Sequence, residues 1–242
     1  IEFSFVCTMA SAVATQDEPP SEWKGGPTNT LLCADVGLGK VSHRRNAATG
    51  LFRALRKYPL TRALRYLDVL TASDLGVSSS DAARIQSRSG VAYQEIYGGA
   101  DMTICIFLMR KGARIPAHDH PGMHVFGRLL FGSMRVKSWD LLSDEGDMRN
   151  DVPLEAYYYG AQVLGPHPAT YGLGPEEGNI HEIEAVENCA FFDILTPPYN
   201  PKGGRDCTYF DAKTFETGTT TLTPRSRPDF GMETQDYTGP PF

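Results

Sequence analysis

The apolar positions of this chain change period once, near residue 90. Before that point they recur at helical spacing. Residues 44–57 (RNAATGLFRALRKY) bring Leu51, Phe52 and Leu55 to one side of a helix, and Pro59 interrupts it. Residues 60–70 (LTRALRYLDVL) repeat the pattern with Leu60, Leu64, Leu67 and Leu70, which predicts a second amphipathic helix. Ala72-Ser73-Asp74-Leu75-Gly76 closes the helical part. Thereafter strand patterns take over. Residues 103–109 (TICIFLM) are apolar on both faces, as in a strand buried on both sides, and Lys111-Gly112 turns it. Residues 133–139 (SMRVKSW) alternate, with Met134, Val136 and Ser138 on one face and Arg135 and Lys137 on the other. Residues 179–186 alternate as well: His181, Ile183 and Ala185 share a face, and Glu182 and Glu184 take the other. Residues 189–195 (CAFFDIL) form a further apolar strand, ended by Pro197-Pro198.

The flanks lack such patterns. Residues 1–40, with Glu18-Pro19-Pro20-Ser21-Glu22 and Gly25-Gly26-Pro27, read as a mobile leader. Residues 213–242, rich in Thr, Pro and Asp, read as a mostly irregular tail. Between them, residues 41–212 read as one domain, short N-terminal helices feeding an all-β body. Many short strands with regular turn signals suit a double-sheet jelly roll.

Composition narrows the function classes. A net charge of -6 without a Lys/Arg-rich block argues against a nucleic-acid surface. No apolar run approaches the ~20 residues of a membrane span. The five cysteines (Cys7, Cys33, Cys105, Cys189 and Cys207) are odd in number and lack paired spacing, which fits a reducing compartment better than a disulfide framework. The expected location is the cytoplasm, with the nucleus second, and the expected state is a monomer. The sequence opens on Ile1, and Met9-Ala10-Ser11 offers a start. Residues 3–14 are fairly apolar and end in Ala12-Val13-Ala14, yet no basic flank precedes them, so a secretory signal is the weaker reading.

The candidate chemistry lies in His118-Asp119-His120. Two histidines at i and i+2 on a strand point to one face, and histidine is the commonest metal ligand. Gly178-Asn179-Ile180-His181 supplies a third, facing the same way as Ile183 and Ala185. Two loop histidines between Pro116 and Pro121 are the bland alternative, and His181 alone would more often be an ordinary strand histidine. Three neutral imidazoles leave a metal's charge uncompensated and favour an anionic ligand such as a thiolate. The donor set alone does not separate zinc from iron. His124 reads as a neighbour rather than a fourth ligand, His167 in Gly165-Pro166-His167-Pro168 as a loop residue, and His43 has no partner in sequence.

These pieces resemble the cupin motifs. Gly112, five residues, His118-Asp119-His120 and a later Gly132 fit the first frame without its glutamate, and Gly178–His181 fits the second. The stretch IPAHDHPGMHVFGRLLFGSMRVKSWD (residues 115–140) looks like the thiol dioxygenases of the cysteamine dioxygenase and plant cysteine oxidase family. So do GNIHEI (178–183), FFDILTPPY (191–199) and GRDCTYF (204–210). The resemblance covers roughly residues 44–210. It implies a cupin double-stranded β-helix that binds Fe(II) through His118, His120 and His181. It also implies addition of both atoms of O2 to a thiol, giving a sulfinic acid. The implied substrates are cysteamine or proteins and peptides with an N-terminal cysteine, with a role in oxygen sensing through protein degradation. Asp193 corresponds to a family aspartate that positions substrate, and a structural partner such as an arginine or backbone groups is the even alternative. Tyr199 resembles a tyrosine near the pocket mouth. Cys207 and Tyr209 stand at i and i+2, where some members form a thioether; a free buried cysteine is the preferred state here. His124 and Gly127 mix features of the plant and animal branches, and Trp139 departs from both. A zinc or manganese cupin of isomerase or hydrolase type, or a non-catalytic metal-binding cupin, stays open as an alternative.

Overall fold

The computed structural model describes residues 46–57, 59–142, 152–165, 167, 169–215, 219–225 and 229–242. The expected leader, Cys7, Cys33 and His43 lie outside the described residues. Helix α1 (Ala47–Lys57) buries Leu51, Phe52 and Leu55, as their spacing predicts. The second helix is shorter than its pattern. Only Leu60–Ala63 (α2) is α-helical, and Leu64–Val69 winds as a 3-10 helix. Leu64, Leu67 and Leu70 recur every third residue, which is the repeat of that tighter coil. Thr71 and Asp74 cap a further 3-10 turn at Ala72–Leu75 with reciprocal hydrogen bonds, and α3 is Ser79–Ala83.

The described strands are β1 (Val91–Gly98), β2 (Thr103–Met109), β3 (Arg114–His118), β4 (His124–Phe131), β5 (Met134–Leu141) and β6 (Leu154–Leu164). They continue with β7 (Ala169–Leu173), β8 (Ile180–Ala185), β9 (Cys189–Thr196), β10 (Tyr209–Thr214), β11 (Thr220–Arg225) and β12 (Glu233–Thr234). One sheet runs β12-β1-β2-β9-β4-β7. The other, β10-β11-β6-β5-β8-β3, closes on itself where Tyr209 pairs with His118. All pairs are antiparallel except β1 with β12. This is the expected jelly roll. Gly132 turns β4 into β5 at φ 74°, and a Cβ there would strike the Asn188 carbonyl, so only glycine fits.

The helices cover the outer face of the first sheet, packing on Ile104, Ile106, Phe192 and Ile194. Arg128 ties the layers together, donating from Nε to the Leu70 carbonyl at 2.7 Å and from Nη1 to Thr170 Oγ1 at 3.0 Å. Between the sheets lies a second core of Leu129, Phe191, Ile115, Met134, Ile183 and Ala185. Met134 and Val136 face it, as alternation predicts, while Arg135 and Lys137 pair with Glu184 and Glu182 outside. Trp139 follows Lys137 on the outward side and is nonetheless buried, because the closed sheet wraps it among Ala117, Ile180, Phe210 and Leu222.

Residues 213–242, read above as mostly irregular, supply the end of β10 and the whole of β11 and β12. β11 is a member of the closed sheet, and β12 pairs with β1. The buried positions of β11 are Thr220, Leu222 and Pro224, a single strongly apolar residue among three, so hydrophobic alternation does not reveal it. Among the described residues, no helix is long and apolar enough to cross a membrane.

Candidate metal centre

His118 ends β3, His120 lies just beyond it, and His181 is the second residue of β8. Strict alternation from Ile115, which faces the inner core, would turn His118 outward. The β3–β8 register shifts between Ile115 and His118, and the irregularity brings the histidine inward, opposite His181. The rings of His118 and His120 are 4.9 Å apart, those of His118 and His181 4.7 Å, and those of His120 and His181 4.8 Å. One ligand atom from each lies within 4.8 Å of the others.

All three rings are buried. Burial pulls His118 down from an ordinary imidazole value to about 4. It pulls His120 to about 3, with the neighbouring His118 adding to the effect. His181 is pulled well below its usual range by burial and then by both neighbours. The rings are therefore neutral at physiological pH. His118 Nδ1 lies 2.8 Å from the Pro116 carbonyl and His120 Nδ1 3.2 Å from that of Asn179. A carbonyl only accepts, so each Nδ1 carries the proton and each Nε2 keeps a free lone pair. Three neutral, converging imidazoles suit a first-row divalent ion, and the residues fit a metal.

The surrounding shell is mostly polar backbone and aromatic. Asp119, 1% exposed, accepts from Thr208 N at 2.7 Å, while its own N donates to the Thr208 carbonyl at 3.1 Å. Tyr199 donates to the Asp119 carbonyl at 2.7 Å and its ring lies 5.7 Å from His120. Tyr209 lies 5.8 Å from His118. Between the two tyrosines sits Cys207, which is in no disulfide, lies within hydrogen-bonding reach of both hydroxyls and is pushed up by burial to about 12. Sequence order alone did not place Asp119 or Asn179 in this shell, because their role comes from strands distant in the chain.

Asp193 is on the inner face of β9, opposite Cys105 of β2 and Gly127 of β4. Its partner is neither an arginine nor backbone: Tyr171 donates to Oδ1 at 2.7 Å. Burial raises the carboxyl to about 7, against the opposing pull of that hydrogen bond. Gly127 makes the pair fit, since a Cβ there would collide with the Tyr171 ring and with Asp193 Oδ1. Among the described residues, His124 is not part of the histidine cluster. Alternation puts it on the outer face with Phe126, whose ring stacks on it at 6.1 Å. His167 is an exposed loop residue.

The PCO_ADO family model matches residues 60–242. The chain is 34% identical to plant cysteine oxidase 2 of Arabidopsis thaliana over 187 residues, 75% of this chain and 67% of that protein. It is 32% identical to 2-aminoethanethiol dioxygenase of Homo sapiens over 203 residues, 72% of this chain and 74% of that protein. Among solved structures, a Klebsiella pneumoniae protein with a double-stranded β-helix domain is 14% identical. It covers 55% of this chain and 94% of its own, with a TM-score of 0.37. The matched region holds both sheets and all three histidines, and the chain belongs to the PCO_ADO family.

Proposed function

We propose that this chain is an Fe(II)-dependent thiol dioxygenase acting on the N-terminal cysteine of proteins or peptides, with cysteamine as a second substrate. The reaction is R–SH + O2 → R–SO2H. Both oxygen atoms go to sulfur, which loses four electrons as dioxygen gains four. The observation that carries the reading is the buried, neutral set His118, His120 and His181 in a chain whose relatives are named as a plant cysteine oxidase and a 2-aminoethanethiol dioxygenase. Oxidation of an N-terminal cysteine would mark a protein for degradation and make the enzyme a reporter of oxygen. We place it in the cytoplasm, with the nucleus second, as a monomer.

His118, His120 and His181 would hold the iron, which when bound supplies a positive charge for the substrate thiolate and a redox centre for O2. The histidines bring no negative charge, so an anionic thiolate is the ligand they leave room for. An N-terminal cysteine and cysteamine share an ammonium two carbons from the thiol. Asp193, oriented by Tyr171, is the carboxyl we assign to that ammonium. An approaching cation would favour its ionised form and relieve the cost of burial. Tyr199 and Tyr209 flank two ligand rings, where they limit water and orient the substrate chain. Cys207 packs between them as a free thiol.

The test is anaerobic reconstitution with Fe(II), then O2 with a peptide beginning in Cys and, separately, with cysteamine, read by mass spectrometry. A gain of two oxygens that disappears in His181→Ala is expected. Oxidation of cysteamine alone would keep the chemistry and remove the protein-sensing role. No oxidation of either, with iron verified in the protein, would overturn the proposal in favour of a cupin using another metal.

A further inference from the structure

His118 and His181 have strand pairing to hold them, since His118 pairs with both His181 and Tyr209, and His181 also pairs with Ser138. His120 lies past the end of β3 and has no such ladder. Among the described residues, apart from a turn bond from Met123 N to its carbonyl, its hydrogen bonds go to one residue, Asn179. Asn179 Oδ1 accepts from His120 N at 2.9 Å. Asn179 Nδ2 donates to the His120 carbonyl at 2.8 Å and to the Gly174 carbonyl at 3.0 Å. The Asn179 carbonyl accepts from His120 Nδ1 at 3.2 Å. The side-chain amide and the main chain thus reproduce, for one residue, the pairing that a strand would have given.

Asn179 is itself anchored. Its N–H donates to Asp140 Oδ1 at 3.2 Å, and the other oxygen of Asp140 accepts the Tyr159 hydroxyl at 2.6 Å. A chain of hydrogen bonds therefore runs from Tyr159 on β6, through Asp140 on β5, to the residue that cradles the ligand. Both ends of the carboxylate are engaged, so rotating it away would break two bonds at once.

We propose that Asn179, backed by Asp140 and Tyr159, is the positioning residue that sets the heading and tautomer of His120 for metal binding. This inference rests on the three-histidine site holding a divalent metal and is independent of which thiol is oxidised. An amide is the only side chain of this size that accepts from one N–H while donating to two carbonyls. Asn179→Asp keeps the size and the acceptor but turns a carboxylate oxygen against the carbonyls of His120 and Gly174. Asn179→Ala deletes all three side-chain bonds. Asp140→Asn keeps the size and loses one acceptor, and Tyr159→Phe removes only the outermost bond.

The experiment is a Co2+ titration of the metal-stripped wild type and these four variants, following both affinity and the visible ligand-field bands, with melting temperatures measured alongside. Asn179→Asp and Asn179→Ala are expected to bind Co2+ about 10–100-fold more weakly and to shift the bands. Asp140→Asn should follow with a smaller effect, and Tyr159→Phe with the smallest. A merely structural residue would lower the melting temperature and leave the bands of the folded protein unmoved. Should the Asn179 variants fail to fold, Asp140→Asn and Tyr159→Phe carry the test through their bands. Wild-type binding with equal affinity and identical bands in every folded variant would overturn this inference alone. Failure of the wild type to bind Co2+ would overturn the metal site and the inference with it.

Discussion

The interior of the jelly roll has two halves built from the same strands. At one end Ile115 of β3, Ile183 and Ala185 of β8 and Phe191 of β9 form a dry core. One or two pleats along, the same strands carry His118, His181 and Asp193. The apolar half gains from burial, at about 25 cal/mol per Å² of apolar surface removed from water. The polar half has its groups buried against their preference: each histidine is pulled down and the aspartate is pushed up. Stability in one half thus holds a chemically ready arrangement in the other, and the two halves should respond oppositely to substitution.

Removing a ligand should have the largest effect. His181→Ala is expected to abolish thiol oxidation while leaving the fold intact, checked by product mass spectrometry and circular dichroism. The mirror experiment is Phe191→Ala, which empties the dry core where Phe191 stacks on Phe107 at 5.0 Å. It should cost about 3–5 kcal/mol in denaturant unfolding, yet retain Co2+ binding wherever the protein remains folded. Gly127→Ala sits at the border. It should cost about 1–3 kcal/mol by overpacking and should disturb the Tyr171–Asp193 pair directly.

pH sharpens the contrast further. In the metal-free protein the stability associated with the neutral rings of His118 and His120 is whole above their unfolded value of about 6.5. It is lost as pH falls towards their folded values of about 4 and about 3. Melting temperature should therefore drop across that window, and His118→Phe should flatten the drop. Asp193 has the opposite sign. Its folded value, raised to about 7, gives stability that is full below the unfolded carboxyl value and is lost as pH rises through neutrality. Asp193→Asn should raise the melting temperature at pH 8 by more than at pH 5, the smallest of these effects, while it weakens binding of the aminothiol.

The dry half was the more legible in the sequence. Period-two alternation placed Met134, Val136, Ile183 and Ala185 on the inner face, and continuous apolarity marked β2 and β9. The histidines were legible as well, through their resemblance to a family, although His120 lies beyond β3 and not at i+2 on the strand that carries His118. What supports them was not. Asn179 reads only as the first residue of the alternating stretch 179–186, and its contacts with His120 depend on a segment about sixty residues away. Tyr171 lies on a short strand without clear alternation, so its bond to Asp193 depends on the β4–β7 register. The inward swing of His118 depends on a register irregularity between Ile115 and His118 that breaks the alternation used to read the other strands. In residues 60–70 the leucines pack on the core as their one-sided spacing predicts, Leu67 and Leu70 buried and Leu60 and Leu64 partly so, but residues 64–69 wind as a 3-10 helix.

The most direct test of the central claim is the fate of labelled dioxygen. Fe(II)-loaded protein, a peptide beginning in Cys and 18O2 should yield a sulfinic acid in which both oxygens carry the label. Label in one oxygen only, or an unlabelled or unchanged thiol with iron verified in the protein, would contradict the assignment of this three-histidine site as a thiol dioxygenase.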